Sequence, residues 1–258
     1  MFFPSSSDIG AGYNEGMFFR QLLHEEKSCL SYVIGCPTHR TCVVIDPQGD
    51  VERYFAVASR RGLKIDAVIE THIHADHVSI APELAKQSSA ILYYGPRAEI
   101  RFAHQELKDS DIITVGNRKI TALHTPGHTQ EHISLYVDDW LVLTGDSLFV
   151  GDVGRVDLSL RDTSHESLQG RAGMLYDSVQ RFRALPEWTE IFPGHYAGSV
   201  CGKGMDGKPV STIGRELRRN KPFQLAREQF IEYVLHDTPP VPEDFRSNKR
   251  KNMGMSDM

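Results

Sequence analysis

The sequence ETHIHADHVS, residues 70–79, places three histidines and one aspartate within six consecutive positions. They are His72, His74, Asp76 and His77, and they follow a short apolar run at 67–69 that is typical of a buried strand. In an extended segment His72 and His74 project to the same side, so both could contact one ion. Imidazole and carboxylate groups at this spacing predict a metal site rather than ordinary surface or core histidines.

Three more potential ligands lie in loops that each follow a predicted strand. They are His128 in a TPGHT motif, Asp146 in TGD and His195 in PGH. Glycine and proline beside them favour rigid loops that can leave a coordination position open. Because the set contains no cysteine, it suits zinc, iron or manganese but does not predict a structural thiolate zinc site. His132, in a strand-like run, is expected to pack or to support a ligand.

Short apolar runs alternate with amphipathic stretches along the rest of the chain, and predicted strands outnumber predicted helices. Several strands are sequential hairpins, which favours two mixed sheets packed face to face with helices outside, an α/β sandwich, over a doubly wound sheet. We expect residues 1–16 to be a flexible leader and 17–258 to form one domain with a C-terminal helical extension. The predicted strands are 30–34, 41–45, 67–69, 90–94, 118–123, 133–137, 141–143 and 190–192, and the predicted helices run from the N-cap Asp50 to near Gly62 and over 81–87, 164–185 and 224–235.

Composition narrows the class of protein. The 258 residues carry a formal net charge of -5, with a sequence pI near 6.2, which leaves no basic footprint for nucleic acid. The basic cluster at 246–251 is expected to be a solvated end. No run of 18 apolar residues predicts a membrane span, and the four cysteines contain no CxxC pair. These features predict a reduced, cytoplasmic protein without a disulfide framework.

The motifs HxHxDH, TPGHT, TGD and PGH, in this order, resemble the metallo-β-lactamase superfamily over residues 17–220. The resemblance implies an αβ/βα sandwich of two mixed β-sheets with outer helices and a metal in a cleft between the sheets. Members hydrolyse β-lactams, thioesters or phosphodiesters, or carry out redox chemistry. The fold alone therefore does not choose the reaction.

Further stretches are similar to the persulfide dioxygenase branch of that family. They are CLSYVIG at 29–35, VIDP at 44–47, ETHIHADHVS at 70–79, TGDSLF at 144–149 and GDVGRVDL at 151–158. The later stretches GHYAGSVCG at 194–202 and STIGRE at 211–216 look most like versions fused to a rhodanese module. We expect no rhodanese domain in this chain, so a separate rhodanese is a candidate partner.

The resemblance also implies roles for the ligand set. In that branch two histidines and one carboxylate hold one Fe(II) per chain, and the matching positions are His72, His128 and Asp146. Such a facial triad leaves adjacent positions open for sulfur and O₂. The implied reaction takes glutathione persulfide, or a related low-molecular-weight persulfide, with O₂ and water to the thiol and sulfite. The remaining members of the set would orient the ligands and the bound persulfide: His74, Asp76, His77 and His195.

Two residues are candidates for substrate binding. Arg155 matches the position that the branch associates with the glutathione carboxylate, which an arginine fork suits. The alternative for Arg155 is a structural ion pair with Asp152 or Asp157. Tyr196 follows His195 where many members carry Asp or Gly, and its hydroxyl either contacts substrate or packs. A second departure from the branch is Ile80, where glycine is usual.

Two other functions are weighed against sulfur oxidation. A dizinc thioester hydrolase similar to hydroxyacylglutathione hydrolase would use all seven ligands and a bridging hydroxide. A non-catalytic sulfur-handling partner would keep the fold without turnover, with Cys201 as a sulfur acceptor, but the intact ligand set argues against it. The sequence is also compatible with a homodimer.

Overall fold

The structure, a computed structural model, describes residues 16–196 and 198–255, so the predicted leader lies outside the described residues except for Gly16. In these ranges the chain forms twelve strands and seven helices. The strands are β1 (Phe18–His24), β2 (Cys29–Cys36), β3 (Thr41–Ile45), β4 (Lys64–Ile69), β5 (Ile91–Tyr94), β6 (Gln105–Glu106), β7 (Ile112–Val115), β8 (Arg118–His124), β9 (Ile133–Val137), β10 (Leu141–Gly145), β11 (Glu190–Pro193) and β12 (Ser211–Thr212). The helices are α1 (Val51–Ser59), α2 (Ala81–Ser88), α3 (His165–Phe182), α4 (Ile213–Arg219), α5 (Lys221–Gln224), α6 (Arg227–Leu235) and α7 (Phe245–Asn252).

The strands form two six-stranded mixed sheets. The first sheet has the order β1-β2-β3-β4-β5-β6, antiparallel from β1 to β3 and parallel from β3 to β6. The second has the order β12-β11-β10-β9-β8-β7, in which only β10 and β11 pair in parallel. The prediction of a sandwich of two mixed sheets is confirmed.

Strand β3 shows why the layers stack in this order. Its side chains alternate between two cores because successive residues of a strand point to opposite faces. Val43 and Ile45 pack between the two sheets, whereas Cys42 and Val44 pack against α1 and α2 on the outside of the first sheet. A strand that is covered on both faces has a continuous apolar sequence, and this run is the feature that predicted β3.

Helix α3 covers the outer face of the second sheet. Its buried residues Ala172, Leu175, Val179 and Phe182 are spaced by three and four, as predicted for one helical face. Ser164 caps its N-terminus by accepting a hydrogen bond from the Ser167 amide at 3.3 Å. The helix ends earlier than predicted, at Phe182.

The predicted helix at 224–235 is wrong at its start. The chain forms α5 and then α6, with Leu225 between them in an extended conformation (φ −83°, ψ 144°). The extended residue ends the hydrogen-bonded pattern of α5. Helix α6 then restarts at Arg227 and buries Phe230 and Val234 against the second sheet.

The expectation that the basic cluster at 246–251 is a solvated end is wrong. These residues belong to α7, which packs onto the body of the protein. Phe245, Lys249 and Asn252 are buried. Their spacing of four and three puts them on one helical face, and the remaining charged residues provide the solvent side. A polar composition concealed this face because two of its three residues are themselves polar.

All four cysteines are buried free thiols: Cys29, Cys36, Cys42 and Cys201. No helix within 16–196 or 198–255 is both long and apolar enough to cross a membrane.

The two isoleucines Ile191 and Ile112, on β11 and β7 of the second sheet, provide a matched test of this packing. Ile191 is fully buried and Ile112 is 54% exposed. Replacing Ile191 by Ala should lower the free energy of unfolding by about 2–5 kcal/mol, because it leaves a cavity between α3 and the sheet. Ile112→Ala should change it by less than about 0.5 kcal/mol. Urea unfolding of both variants measures this, and equal losses would contradict the assignment of the core.

Candidate metal centre

The folded chain brings His72, His128 and Asp146 together from three loops. His72 follows β4, His128 lies between β8 and β9, and Asp146 follows β10. All three side chains are buried, and one potential ligand atom from each lies within 4.8 Å of the other two. Asp146 Oδ2 is 3.7 Å from His72 Nε2 and 3.5 Å from His128 Nε2. Ligand atoms bonded to one ion at about 2.1 Å stand about 3–3.5 Å apart, so this spacing fits.

The hydrogen bonds of the His72 and His128 rings engage their Nδ1 atoms and leave their Nε2 atoms free for a metal. His128 Nδ1 lies 2.7 Å from the carbonyl oxygen of Arg155, so Nδ1 carries the proton and Nε2 keeps a lone pair. His72 Nδ1 contacts Thr71 Oγ1 at 2.9 Å. His72 Nε2 and Asp146 Oδ2 are buried atoms without a hydrogen-bond partner. Buried polar atoms without partners are costly, and an ion between them removes that cost.

The second oxygen of Asp146 is held by His195, which follows β11. His195 Nδ1 lies 2.8 Å from Asp146 Oδ1. Burial by itself raises the pKa of Asp146, but the charge and hydrogen bond of His195 outweigh it and lower the pKa to about 2. Asp146 is therefore ionised and is a candidate anionic ligand.

Two glycines allow this close approach. A Cβ atom on Gly145 would lie 2.6 Å from His132 Nε2, and Gly145 also has a positive φ of 49°. A Cβ on Gly194 would lie 2.5 Å from Asp146 Oδ1. Real Cβ atoms do not approach so closely, so the TGD and PGH motifs need glycine for steric reasons.

His132 supports the centre from behind. Its Nε2 accepts a hydrogen bond from the Asp146 amide at 3.0 Å, and its Nδ1 contacts Thr125 Oγ1 at 2.8 Å. Burial, reinforced by the neighbouring His128, lowers the pKa of His132 to about 3. The ring is thus a neutral acceptor that fixes the backbone of Asp146, in agreement with the prediction of a supporting role.

His74 does not join this group. Its Nε2 lies 2.7 Å from Glu70 Oε2 and 3.4 Å from Asp46 Oδ1. Burial alone would lower the pKa of His74, but these two carboxylates raise it well above its usual value. His74 belongs to a separate buried group with Asp46 and Glu70. Thr71 joins that group to His72, because its amide and hydroxyl donate to Asp46 at 2.7 and 2.8 Å.

Asp76 contacts the two remaining residues of the predicted set, His77 and His195. Its Oδ2 lies 3.1 Å from His195 Nε2, 3.0 Å from His77 Nδ1 and 3.0 Å from the thiol of Cys29, which donates to it. Burial raises the pKa of Asp76, yet the charges of His77 and His195 bring it well below its usual value. Cys201 lies close to the same His195. The structure therefore links Asp76 to the centre through His195 and Asp146.

Helix α7 fixes the backbone of the ETHIHADH loop, a contact that no motif in the sequence indicated. Asn252 Nδ2 donates to the carbonyl oxygens of His74 and His77, both at 2.9 Å, and Asn252 Oδ1 accepts from the Ser79 amide at 2.8 Å. Asn248 donates to the carbonyl oxygen of Ala75 at 3.0 Å. One buried asparagine thus satisfies three backbone groups of the loop, which fixes its course.

Arg155 forms a structural ion pair with Asp157, one of the two partners considered as the alternative to substrate binding. Its guanidinium forms a bidentate ion pair with Asp157 at 2.6 and 2.7 Å and donates to the carbonyl oxygens of Val200, Pro239 and Pro240. All five of its donors are thereby used, and only 3% of the residue is exposed. The interpretation of Arg155 as a glutathione ligand is corrected, because no donor is left for a substrate.

The two departures from the branch, Tyr196 and Ile80, are explained by packing. Tyr196 packs against the core between the sheets, and its amide donates to the Ser28 carbonyl at 3.1 Å. Ile80 adopts φ −98°, which is open to any residue, and packs beside α2. Its replacement of glycine therefore needs no change in the backbone.

An open cavity of about 230 Å³ leads to the centre. His128 and Ile73 lie in its wall, together with residues from the loop at 158–162 and from helices α3 and α7. Neither Tyr196 nor Arg155 is among the described residues that line it. The cavity gives a small molecule access to one edge of the three-ligand group.

Residues 24–195 match the family model described as the metallo-beta-lactamase superfamily. The match covers more than half of the chain and contains all seven predicted ligands. This chain belongs to the metallo-β-lactamase superfamily. The family and the buried ligand groups together support a metal cofactor, without deciding between iron and zinc.

Relatives within the superfamily point to two branches. The structure of ETHE1 from Myxococcus xanthus is 30% identical with a TM-score of 0.80 over 92% of this chain and 98% of that one. A metallo-beta-lactamase from Staphylococcus aureus is 34% identical with a TM-score of 0.86 over 94% of this chain and 74% of that one. The hydroxyacylglutathione hydrolase of Aliivibrio salmonicida is 34% identical over 224 residues, 82% of this chain and 84% of that protein. With the hydroxyacylglutathione hydrolase of Actinobacillus pleuropneumoniae serotype 5b, the match spans 65% of that protein's length.

The role of α7 gives a prediction for Asn252. Replacing Asn252 by Ala removes the partner of three backbone groups of the metal-binding loop, and the buried one, the His74 carbonyl, costs about 1–3 kcal/mol when it is left unsatisfied. We expect metal affinity to fall about tenfold or more, as when other groups that orient metal ligands are removed. Metal retained after dialysis against a graded chelator measures this.

Asn248→Ala is the matched control on the same helix, because it removes one hydrogen bond to a half-buried loop. It should retain metal nearly as well as the unmodified protein. Equal retention by the Asn252 variant would show that the loop keeps its conformation without α7.

Proposed function

We propose that this protein is a mononuclear non-haem iron dioxygenase that oxidises a low-molecular-weight persulfide, such as glutathione persulfide, to sulfite and the thiol. The observation that carries the proposal is the isolation of two histidines and one aspartate, His72, His128 and Asp146, as one buried group of mutually close ligand atoms. Two histidines and a carboxylate on one face are the ligands of non-haem Fe(II) oxygenases. The similarity to the structure of ETHE1 also supports the persulfide dioxygenase branch.

Iron bound there would supply open coordination positions at which a sulfur anion and O₂ can meet. The chain's own residues keep the ligands in place. Thr71 and the Arg155 carbonyl orient the two rings, while His195 and the His132 ring orient Asp146. The cavity at His128 admits the substrate from one side.

A dizinc thioester hydrolase is the second candidate, and two observations favour it. Hydroxyacylglutathione hydrolases are among the relatives at 30–34% identity. His74 Nδ1 and His77 Nε2 are buried without a hydrogen-bond partner, so each has a nitrogen available to a further ion. A second metal would then take Asp76, His77 and His195, with His74 joining the first.

Metal content and O₂ uptake separate the two candidates. Protein purified without oxygen should contain one iron per chain and should consume O₂ only when glutathione persulfide is supplied. Asp146→Ala should lose the metal, because it removes the anionic ligand. Elemental analysis and an oxygen electrode give both results on the same sample.

Asp76→Asn is the control variant, because Asp76 would bind only the second metal directly. In a mononuclear enzyme Asp76→Asn keeps one metal per chain, whereas in a dinuclear enzyme it lowers the content from two to one. Two zincs per chain with thioester cleavage and no O₂ uptake would overturn the proposal in favour of the hydrolase.

A further inference from the structure

Two buried cations line the cavity that leads to His128. Lys249 comes from α7 and is 7% exposed, and Arg171 comes from α3 and is 6% exposed. Lysine and arginine are almost never so deeply buried unless an anion accompanies them. Both side chains border the open space rather than the packed core, since the cavity wall includes them beside the metal ligand.

Neither cation has a carboxylate partner among residues 16–196 and 198–255. Lys249 Nζ makes no hydrogen bond and no ion pair within 4.0 Å there. Arg171 Nη2 donates only to neutral oxygens, the Asp162 carbonyl at 2.6 Å and Ser167 Oγ at 3.3 Å. Arg171 Nε is buried and has no partner at all. A buried charge without a counter-charge destabilises the protein unless a ligand supplies that charge.

The acidic residues of the same cavity are engaged elsewhere. Glu99 pairs with Arg161, and Asp162 accepts hydrogen bonds from the amide and hydroxyl of Ser164 at 2.8 Å. Glu131 Oε1 accepts from the Ile73 amide at 2.9 Å. Carboxylates attract both cations only from beyond ion-pair distance, Glu131 in the case of Lys249 and Asp162 and Asp157 in the case of Arg171. The cavity therefore presents two positive groups that no carboxylate among the described residues contacts directly.

We propose that Lys249 and Arg171 form a subsite for a carboxylate of the substrate, so that the preferred persulfide is that of an acidic peptide thiol. This inference rests on the proposed function for the identity of the sulfur chemistry, but not for the existence of the anion site. The sulfur end would lie towards His128, and the carboxylate would lie against α3 and α7. Lys249 and Arg171 would thus bind the carboxylate that the resemblance had assigned to Arg155, whose donors are already used.

The subsite explains why α7 carries a buried lysine. One face of the helix supplies Asn252 to the metal-binding loop and Lys249 to the cavity wall. These residues are three positions apart and therefore neighbours on the helix surface. The helix thus positions the metal-binding loop and recognises the substrate through adjacent residues.

Binding of glutathione, measured by titration calorimetry on the metal-loaded protein without oxygen, tests the subsite. The unmodified protein should bind glutathione about tenfold or more tightly than glutathione diethyl ester, whose carboxylates are blocked, since a hydrogen bond to a charged group is worth that much. Lys249→Met and Arg171→Met should each remove this preference. Lys249→Arg, which keeps the positive charge, should largely keep the preference for glutathione over its diethyl ester.

Lys251→Met is the matched control, because Lys251 is an exposed lysine of the same helix outside the cavity lining. It should bind both thiols as the unmodified protein does. Metal content and thermal melting are recorded for every variant. If the unmodified protein binds both thiols equally, or binds neither, the proposal is overturned.

Loss of metal or of folding in both methionine variants would assign the two cations to structure and would also overturn the proposal. The titration requires no turnover. A result of two zincs and thioester cleavage would therefore refute the dioxygenase while the carboxylate preference is still measured.

Discussion

The carboxylate of Asp146 is the group on which the rest of the centre depends. Its Oδ2 faces His72 from the first sheet and His128 from the second, and its Oδ1 is held by His195. Two sheets that pack only through apolar side chains could slide relative to one another without a large change in buried area. A directional link at their edge fixes their relation, because hydrogen bonds and metal bonds both depend on geometry. An ion bound at Asp146 would therefore stabilise the sandwich, and the sandwich would hold the ligands of the ion in place.

Short-range patterns were sufficient for most of the fold. Strand β3 could be recognised because both its faces are buried, and α1 because Asp50 caps it and accepts from the Glu52 amide at 3.0 Å. The four ligands of the ETHIHADH loop could be found because they lie within six residues, and the other three because each follows a glycine that a close contact requires: Gly127, Gly145 and Gly194. These signals lie within a few residues of the feature they predict.

What the sequence concealed were contacts between distant residues. The break between α5 and α6 at Leu225 carries no proline or glycine, so the periodic pattern ran through it. Arg155 was aligned with a substrate-binding position, but two of its partners, Pro239 and Pro240, come from a part of the chain without a recognisable motif. The charged composition of α7 indicated solvent, because a pattern of polar residues does not reveal which of them are buried.

The contact between Asn252 and His74 also bears on when the ETHIHADH loop can reach its final conformation during synthesis. The two residues are 178 positions apart in the chain. During synthesis the ETHIHADH loop leaves the ribosome long before the helix that fixes its backbone, and domains assemble progressively as the chain emerges. The loop therefore reaches its final backbone conformation only after α7 has been synthesised and has packed against it. We expect the loop to bind a metal ion tightly only from that point on.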